Sequence, residues 1–95
     1  MMYIATKIIV KGEVQGVSFR DFVRKEAVTL GLIGTVKNKE DGNVEIIAYG
    51  EQTDIDMLVK LCYSGPPFAK VNIVEVSEVE IDKIPKEFSI IYSSY

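Results

Sequence analysis

The order in which the hydrophobic period changes along the chain restricts the possible folds more than any other feature. Residues 3–12 alternate in the manner of a β-strand, with Thr6, Ile8 and Val10 on one face, and the alternation ends at Gly12. From about residue 19 the apolar side chains recur at helical spacing instead. That helical stripe consists of Phe19, Phe22, Val23, Ala27 and Leu30. A strand followed by a helix is therefore predicted for the first third of the chain, with Gly31 ending the helix.

A hairpin and a second helix are predicted next. The hairpin arms are residues 34–39 and 43–49, and Asp41-Gly42 is the turn signal between them. The second helix is predicted to begin at Thr53 as N-cap and to end at the Gly65-Pro66-Pro67 segment. Its buried stripe is predicted to be Ile55, Leu58, Val59 and Cys62.

Two more strands complete the prediction. One covers residues 70–81, with a phase break near Ile73 and Val74 that indicates a bulge, and a short one covers residues 88–92. The order βαββαβ is that of the ferredoxin-like split βαβ sandwich, an α+β fold. We therefore expect an antiparallel sheet with two helices on one face, the first and third strands as neighbours, and a short extra C-terminal strand.

Composition limits the functions that such a domain performs. The 95 residues predict a single domain over 1–95, and no stretch approaches the ~20 consecutive apolar residues of a membrane span. With no histidine and a lone cysteine, Cys62, neither a soft-metal site nor an internal disulfide is expected. The net charge of −3 argues against nucleic-acid binding. We expect a cytoplasmic monomer that needs no cofactor and binds no membrane.

The loop between the first strand and the first helix has the composition of an anion site. Its sequence is GEVQGVSFR, from Gly12 to Arg20. A helix N-terminus attracts anions, Gly16 lets backbone amides converge, and the Arg20 guanidinium suits two phosphate oxygens at once. The expected cradle contains Gly16, Val17, Ser18, Phe19 and Arg20. Simple turn geometry explains the glycines equally well, and Ser18 could serve as an N-cap instead.

Asn38 is the second candidate because asparagine is a poor strand former and yet stands at the end of the first hairpin arm. It could satisfy the Asp41-Gly42 turn. Alternatively, if its strand lies near the loop, its carboxamide could hold a water molecule and a substrate. Arg24 is expected at the surface, and Cys62 in the core.

Taken together, these motifs resemble the acylphosphatase family. GEVQGVSFR meets the family's first signature, G-x-V-Q-G-V-x-F-R, throughout. The segment GTVKNKEDGNVEIIAYG, residues 34–50, has the spacing of the second signature, with Thr35 where an aromatic residue is usual. Ile91 stands where relatives often carry a basic residue. The resemblance extends over essentially the whole chain.

The resemblance implies metal-independent hydrolysis of the carboxyl–phosphate bond of small-molecule acyl phosphates. The products are a carboxylate and inorganic phosphate, and phosphate is expected to inhibit. By the same resemblance Arg20 binds the phosphate, assisted by loop amides from Gln15 to Phe19, and Asn38 orients the attacking water. Two other functions compete with this one: an anion-binding module without turnover, and an RNA-recognition domain, for which the central strands offer only Tyr49 as an aromatic platform.

Overall fold

The computed structural model describes residues 3–92, which form five strands and two helices. In chain order the elements are β1 Tyr3–Glu13, α1 Phe19–Thr29, β2 Ile33–Asn38, β3 Val44–Glu51, α2 Gln52–Ser64, β4 Lys70–Val79 and β5 Phe88–Ile91. The predicted βαββαβ order with a short extra strand is therefore confirmed. Neither helix in the described part of the chain is long and apolar enough to cross a membrane.

The five strands form one sheet in the order β4-β1-β3-β2-β5. β1 pairs in antiparallel fashion with both β3 and β4, so the predicted neighbourhood of the first and third strands is confirmed. β2 and β3 form the predicted antiparallel hairpin. The extra strand β5 differs from the rest because it runs parallel to β2, which makes the five-stranded sheet mixed.

The sheet contains an irregularity where β1 approaches the loop. Lys11 lies opposite Ile73, but Gly12 lies opposite Val71, so the register shifts and Asn72 is the extra residue on β4. Gly12 has a φ of 137°, and a Cβ atom there would overlap the carbonyl oxygen of Lys70. Only glycine fits this close approach of two backbones. The predicted break in phase thus corresponds to a real bulge, one residue before the predicted position.

Both helices pack on the same face of the sheet. α1 buries Phe19, Val23 and Ala27, and α2 buries Ile55, Leu58 and Cys62. These residues form one core cluster with inward-facing strand residues that are paired across the ladder. The strand residues concerned are Ile8, Val10, Val36, Val44, Ile46 and Ala48. Cys62 is fully buried in this core, as predicted. Its burial raises the pKa of the thiol to about 12 and keeps it protonated.

The C-terminal ends of both helices agree with the prediction, since α2 ends at Ser64 with Gly65 as its C-cap, but the N-terminal end of α2 does not. Gly31 follows α1 with a φ of 77°, the left-handed conformation typical of a helix C-terminus. The N-cap of α2 is Glu51 and not Thr53, because the helix already begins at Gln52. No side chain caps this end, and the Gln52 carboxamide instead donates to the Asp56 carboxylate at 2.8 Å. β3 runs directly into α2, which leaves no room for a separate capping residue.

Candidate active site

The loop from Val14 to Ser18 leads into α1 with two residues in the left-handed region, Gly16 at φ 74° and Ser18 at φ 64°. Ser18 is the one non-glycine residue with positive φ among residues 3–92. A left-handed conformation is unfavourable for residues with a Cβ, and such conformations cluster at ligand-binding sites. The loop therefore has the strained backbone expected of a segment shaped for a ligand.

The amides of this loop are available to a ligand. The first hydrogen bond of the turn runs from the Phe22 amide to the Ser18 carbonyl oxygen at 3.0 Å. Within residues 3–92, the amides from Gly16 to Asp21 donate to no protein acceptor. Free N–H groups at a helix N-terminus carry partial positive charge and bind anions.

Ser18 occupies the N-cap position of α1, but its side chain makes no capping hydrogen bond. The capping role considered for it is therefore wrong for the hydroxyl group. The reason is its left-handed backbone, since a capping side chain normally requires an extended residue. The hydroxyl remains available as one more donor at the mouth of the loop.

Asn38 is the last residue of β2, opposite Val44 of β3. Its Oδ1 atom is buried and accepts no hydrogen bond from any described residue. The hairpin turn does not use this side chain, because Asp41 Oδ1 accepts from the Asn43 amide at 3.0 Å and the Lys39 amide donates to the Asn43 carbonyl at 2.8 Å. The turn-satisfying role considered for Asn38 is therefore wrong. An unpaired buried acceptor is costly unless a water or ligand satisfies it.

A cavity of about 300 Å³ brings the loop and the strand residue together. Its lining includes Gly16, Ser18, Phe19, Arg20 and Asn38 from the predicted site. Of the other two predicted residues, Val17 packs against the core and Gln15 directs its carboxamide to the hairpin. Arg24 is exposed, as predicted. The size of the cavity suits a small ligand.

Two residues of the cavity that were not predicted come from the C-terminal part of the chain, Ile90 within β5 and Tyr92 directly after it. Ile90 and Tyr92 line the cavity on the side of β5, and the Arg20 Cζ atom lies 5.0 Å from the centre of the Tyr92 ring. Because β5 lies beside β2 with Ile91 opposite Lys37, the next residue, Tyr92, comes close to Asn38. The sequence signal was available in principle, since the predicted strand 88–92 ends on this tyrosine. The sequence does not indicate, however, that this strand pairs with β2, and this pairing brings Tyr92 to the cavity.

A family model for acylphosphatase matches residues 6–90, most of the chain. The chain belongs to the acylphosphatase family. It is 48% identical over 86 residues to an acylphosphatase from Shewanella amazonensis, an alignment that covers 90% of this chain and 94% of that protein.

Solved acylphosphatase structures have the same fold. The crystal structure of acylphosphatase from Bacillus subtilis superposes with a TM-score of 0.89 at 43% identity, covering 96% of this chain and 100% of the other. An acylphosphatase structure from Coxiella burnetii gives a TM-score of 0.88 at 38% identity, covering 94% and 93% of the two chains. The ferredoxin-like α+β architecture inferred from the order of elements is thus confirmed.

The two positions at which this sequence departs from the family's pattern lie on neighbouring strands. Thr35 is half-buried on β2, between Ile47 of β3 and Ser89 of β5 in the register of the sheet. Ile91 is exposed at the end of β5, opposite Lys37. Thr35 and Ile91 are not among the described residues that line the cavity.

Proposed function

We propose that this chain hydrolyses the carboxyl–phosphate bond of acyl phosphates to a carboxylate and inorganic phosphate, without a metal ion or a phosphoenzyme. The observation that carries this proposal is the single cavity in which free amides and Arg20 lie together with the unpaired Oδ1 atom of Asn38. Membership of the acylphosphatase family supports it. The cytoplasmic location, the monomeric state and the single domain over residues 1–95 stay predictions.

In this proposal the phosphate group binds at the N-terminus of α1. The loop amides from Gln15 to Phe19 and the guanidinium of Arg20 donate to its oxygens, and the Ser18 hydroxyl adds one more donor. Phosphoryl transfer depends mainly on positioning and charge stabilisation, because charge spreads over the equatorial oxygens. Fixed amides and a planar guanidinium match those oxygens better in the transition state than in the ground state.

Asn38 is proposed to orient the attacking water. Its buried Oδ1 atom accepts one proton of the water in a hydrogen bond, which satisfies an acceptor that the described residues leave unpaired. The water oxygen attacks phosphorus, the bond between phosphorus and the acyl oxygen breaks, and the electron pair leaves with the carboxylate. A carboxylate is a good leaving group and needs little general acid, which suits a chain without histidine. The substrate itself accepts the proton of the water.

Purified protein is expected to hydrolyse benzoyl phosphate in the presence of excess chelator, with inorganic phosphate as a competitive inhibitor. The donors on which the proposal relies are amides, Arg20 and Asn38, and residues 3–92 hold no group of three or more His, Cys, Asp and Glu placed to bind a metal ion. Loss of substrate is followed directly at several phosphate concentrations. Activity that disappears with chelator and returns with a divalent cation would contradict the metal-free reaction. Phosphate binding without turnover would support the anion-binding module instead.

Tyr92→Leu is expected to raise KM and the Ki for phosphate about 2- to 5-fold, as the loss of an exposed cation–π contact to Arg20 predicts. Because Tyr92 is 78% exposed, the melting temperature should change little. The matched control is Tyr63→Leu, at a tyrosine 58% exposed on α2 and away from the cavity. Steady-state kinetics of both variants check the prediction. Unchanged KM and Ki in Tyr92→Leu would show that the ring does not support the arginine.

A further inference from the structure

The carboxamide of Gln15 connects the phosphate loop to the hairpin. Its Nε2 atom donates to the Lys39 carbonyl oxygen at 2.8 Å and to the Asn43 carbonyl oxygen at 2.9 Å. The other side-chain hydrogen bonds of residues 3–92 join positions only two or four apart in the sequence. The Gln15 bonds instead span 24 and 28 residues and are partly buried. They are therefore the long-range side-chain hydrogen bonds of the part of the chain that the structure describes, where the other distant polar link is the exposed ion pair between Lys11 and Glu75 at 3.3 Å.

The two acceptors lie on either side of Asn38. Lys39 directly follows Asn38 in the chain, and Asn43 directly precedes Val44, the residue opposite Asn38 in the sheet. The Gln15 carboxamide thus holds both backbone strands at the point where the hairpin reaches the cavity. On its other side, Gln15 is followed at once by Gly16, which lines that cavity. One side chain consequently joins the two halves of the proposed site.

The hairpin turn does not need this link for its own closure. It is already closed by the bonds from the Lys39 amide to the Asn43 carbonyl and from the Gly42 amide to the Lys39 carbonyl, at 2.8 and 3.2 Å. Asp41 adds a further bond to the Asn43 amide. The Gln15 bonds are additional to this set and run to another segment. Their effect is therefore on the position of the hairpin relative to the loop.

We infer that Gln15 is a positioning residue, which acts through Asn38 by fixing the distance between the water and the bound phosphate. This inference rests on the proposed function. The proposed function gives a role only to the backbone amide of Gln15, which binds phosphate, whereas the inference concerns the side-chain carboxamide. Phosphoryl transfer requires the attacking and leaving oxygens in line, so a hairpin that drifts from the loop misplaces the water. Among the described residues, the Arg20 guanidinium and the amides from Gly16 to Asp21 make no hydrogen bond to the hairpin, so their contacts to phosphate should persist when the hairpin shifts. A kcat defect without a phosphate-binding defect follows from this arrangement.

Gln15→Met is the principal test because methionine has similar length and flexibility but no donor for the two carbonyl groups. We expect kcat for benzoyl phosphate to fall about 10- to 100-fold, the scale of a small misplacement of reacting groups. The Ki for phosphate should stay within about twofold of the wild-type value, since the cradle itself is unchanged. Gln52→Met is the matched control, because the exposed Gln52 carboxamide bonds only to Asp56 on its own helix. That control should retain the wild-type kcat.

Combining the substitution with Asn38→Ala separates positioning from general support of the fold. If Gln15 acts through Asn38, then Gln15→Met should lower kcat by less than about twofold in the Asn38→Ala background. An equal loss of kcat in both backgrounds would overturn the inference, as would an unchanged kcat in Gln15→Met. A Ki for phosphate that rises in parallel with the loss of kcat would overturn it too. Melting curves show that each variant is folded.

Gln15→Glu provides a second variant of nearly identical shape. At neutral pH its carboxylate only accepts hydrogen bonds and would face two carbonyl oxygens, so kcat should fall at least as far as in Gln15→Met. A Gln15→Glu variant with normal turnover would contradict the inference. A wild-type protein without any turnover would instead contradict the proposed function. Amide hydrogen exchange at Lys39 and Gly42, which should quicken in Gln15→Met but not in Gln52→Met, would still test the link in that case.

Discussion

Arg20→Gln is expected to lower kcat/KM for acyl phosphates about 30- to 1000-fold, a loss on the order of 2–4 kcal/mol of transition-state stabilisation. The physical reason is the loss of a charged, planar donor from a cavity whose other phosphate donors are neutral amides and a hydroxyl group. Glutamine keeps a polar head but cannot bind two phosphate oxygens with a full positive charge. Because charge is lost from both the ground state and the transition state, the Ki for phosphate should rise as well. Steady-state kinetics with phosphate as inhibitor measure both effects.

Arg24→Gln is the matched control for this prediction. Arg24 lies on the same helix, one turn further from its N-terminus, and is exposed to solvent. Arg24 is not one of the described residues that line the cavity. Both kcat/KM and the Ki for phosphate should therefore remain near the wild-type values. Equal effects of the two arginine substitutions would mean that the effect comes from net charge and that the cradle is misassigned.

Asn38→Ala is expected to lower kcat about 10²-fold or more while the Ki for phosphate stays nearly unchanged, as the loss of a group that positions a reactant predicts. The neutral carboxamide adds little to the binding of a multiply charged phosphate. Its Oδ1 atom has no protein partner among residues 3–92, so its removal breaks no intramolecular hydrogen bond of that atom. The melting temperature should therefore remain close to that of the wild type. The pattern expected is a rate defect alone, in contrast to the mixed defect of Arg20→Gln.

Asn72→Ala is a suitable control for Asn38→Ala because Asn72 is an exposed strand asparagine, at the bulge of β4. This control should leave kcat unchanged. Near-normal turnover in Asn38→Ala would show that the residue does not orient the water, even though it lines the cavity. A kcat loss accompanied by an equal rise of Ki would assign Asn38 to the phosphate instead.

Most elements of the fold were predictable because each has a strong local signal. The alternation before Gly12, the helical stripe from Phe19 and the Asp41-Gly42 turn depend on neighbouring residues only. The N-terminal boundary of α2 was predicted less well. β3 continues directly into the helix at Gln52, so no loop with a typical capping residue separates the two elements. The bulge was predicted from a change of phase, although the bulge itself depends on the close approach of Gly12 and Lys70.

The residues of the candidate site were predictable where their type indicates their chemistry. They were less predictable where only the tertiary structure brings them to the cavity. Arg20 and Asn38 stood out through their chemistry and the family motifs, and the structure places both at one cavity. Tyr92 did not stand out, because its position depends on the parallel pairing of β5 with β2. The left-handed Ser18 was also not predicted, as serine rarely adopts that conformation. The Gln15 side chain was missed because its two acceptors lie 24 and 28 residues away.

The interior position of β1 also affects how the protein reaches its native state. This strand lies between β3 and β4. Because β4 comprises residues 70–79, β1 completes its pairing only when a segment from the last third of the chain reaches it. Closing such long loops reduces chain entropy before the new contacts compensate for it, which makes a topology of this kind slow to fold. In a partly folded chain without the complete sheet, the end of the hairpin and the residues Ile90 and Tyr92 would not yet lie beside Gly16 and Arg20. Recovery of enzymatic activity during refolding therefore reports the completion of the entire sheet, and not the formation of the phosphate loop alone.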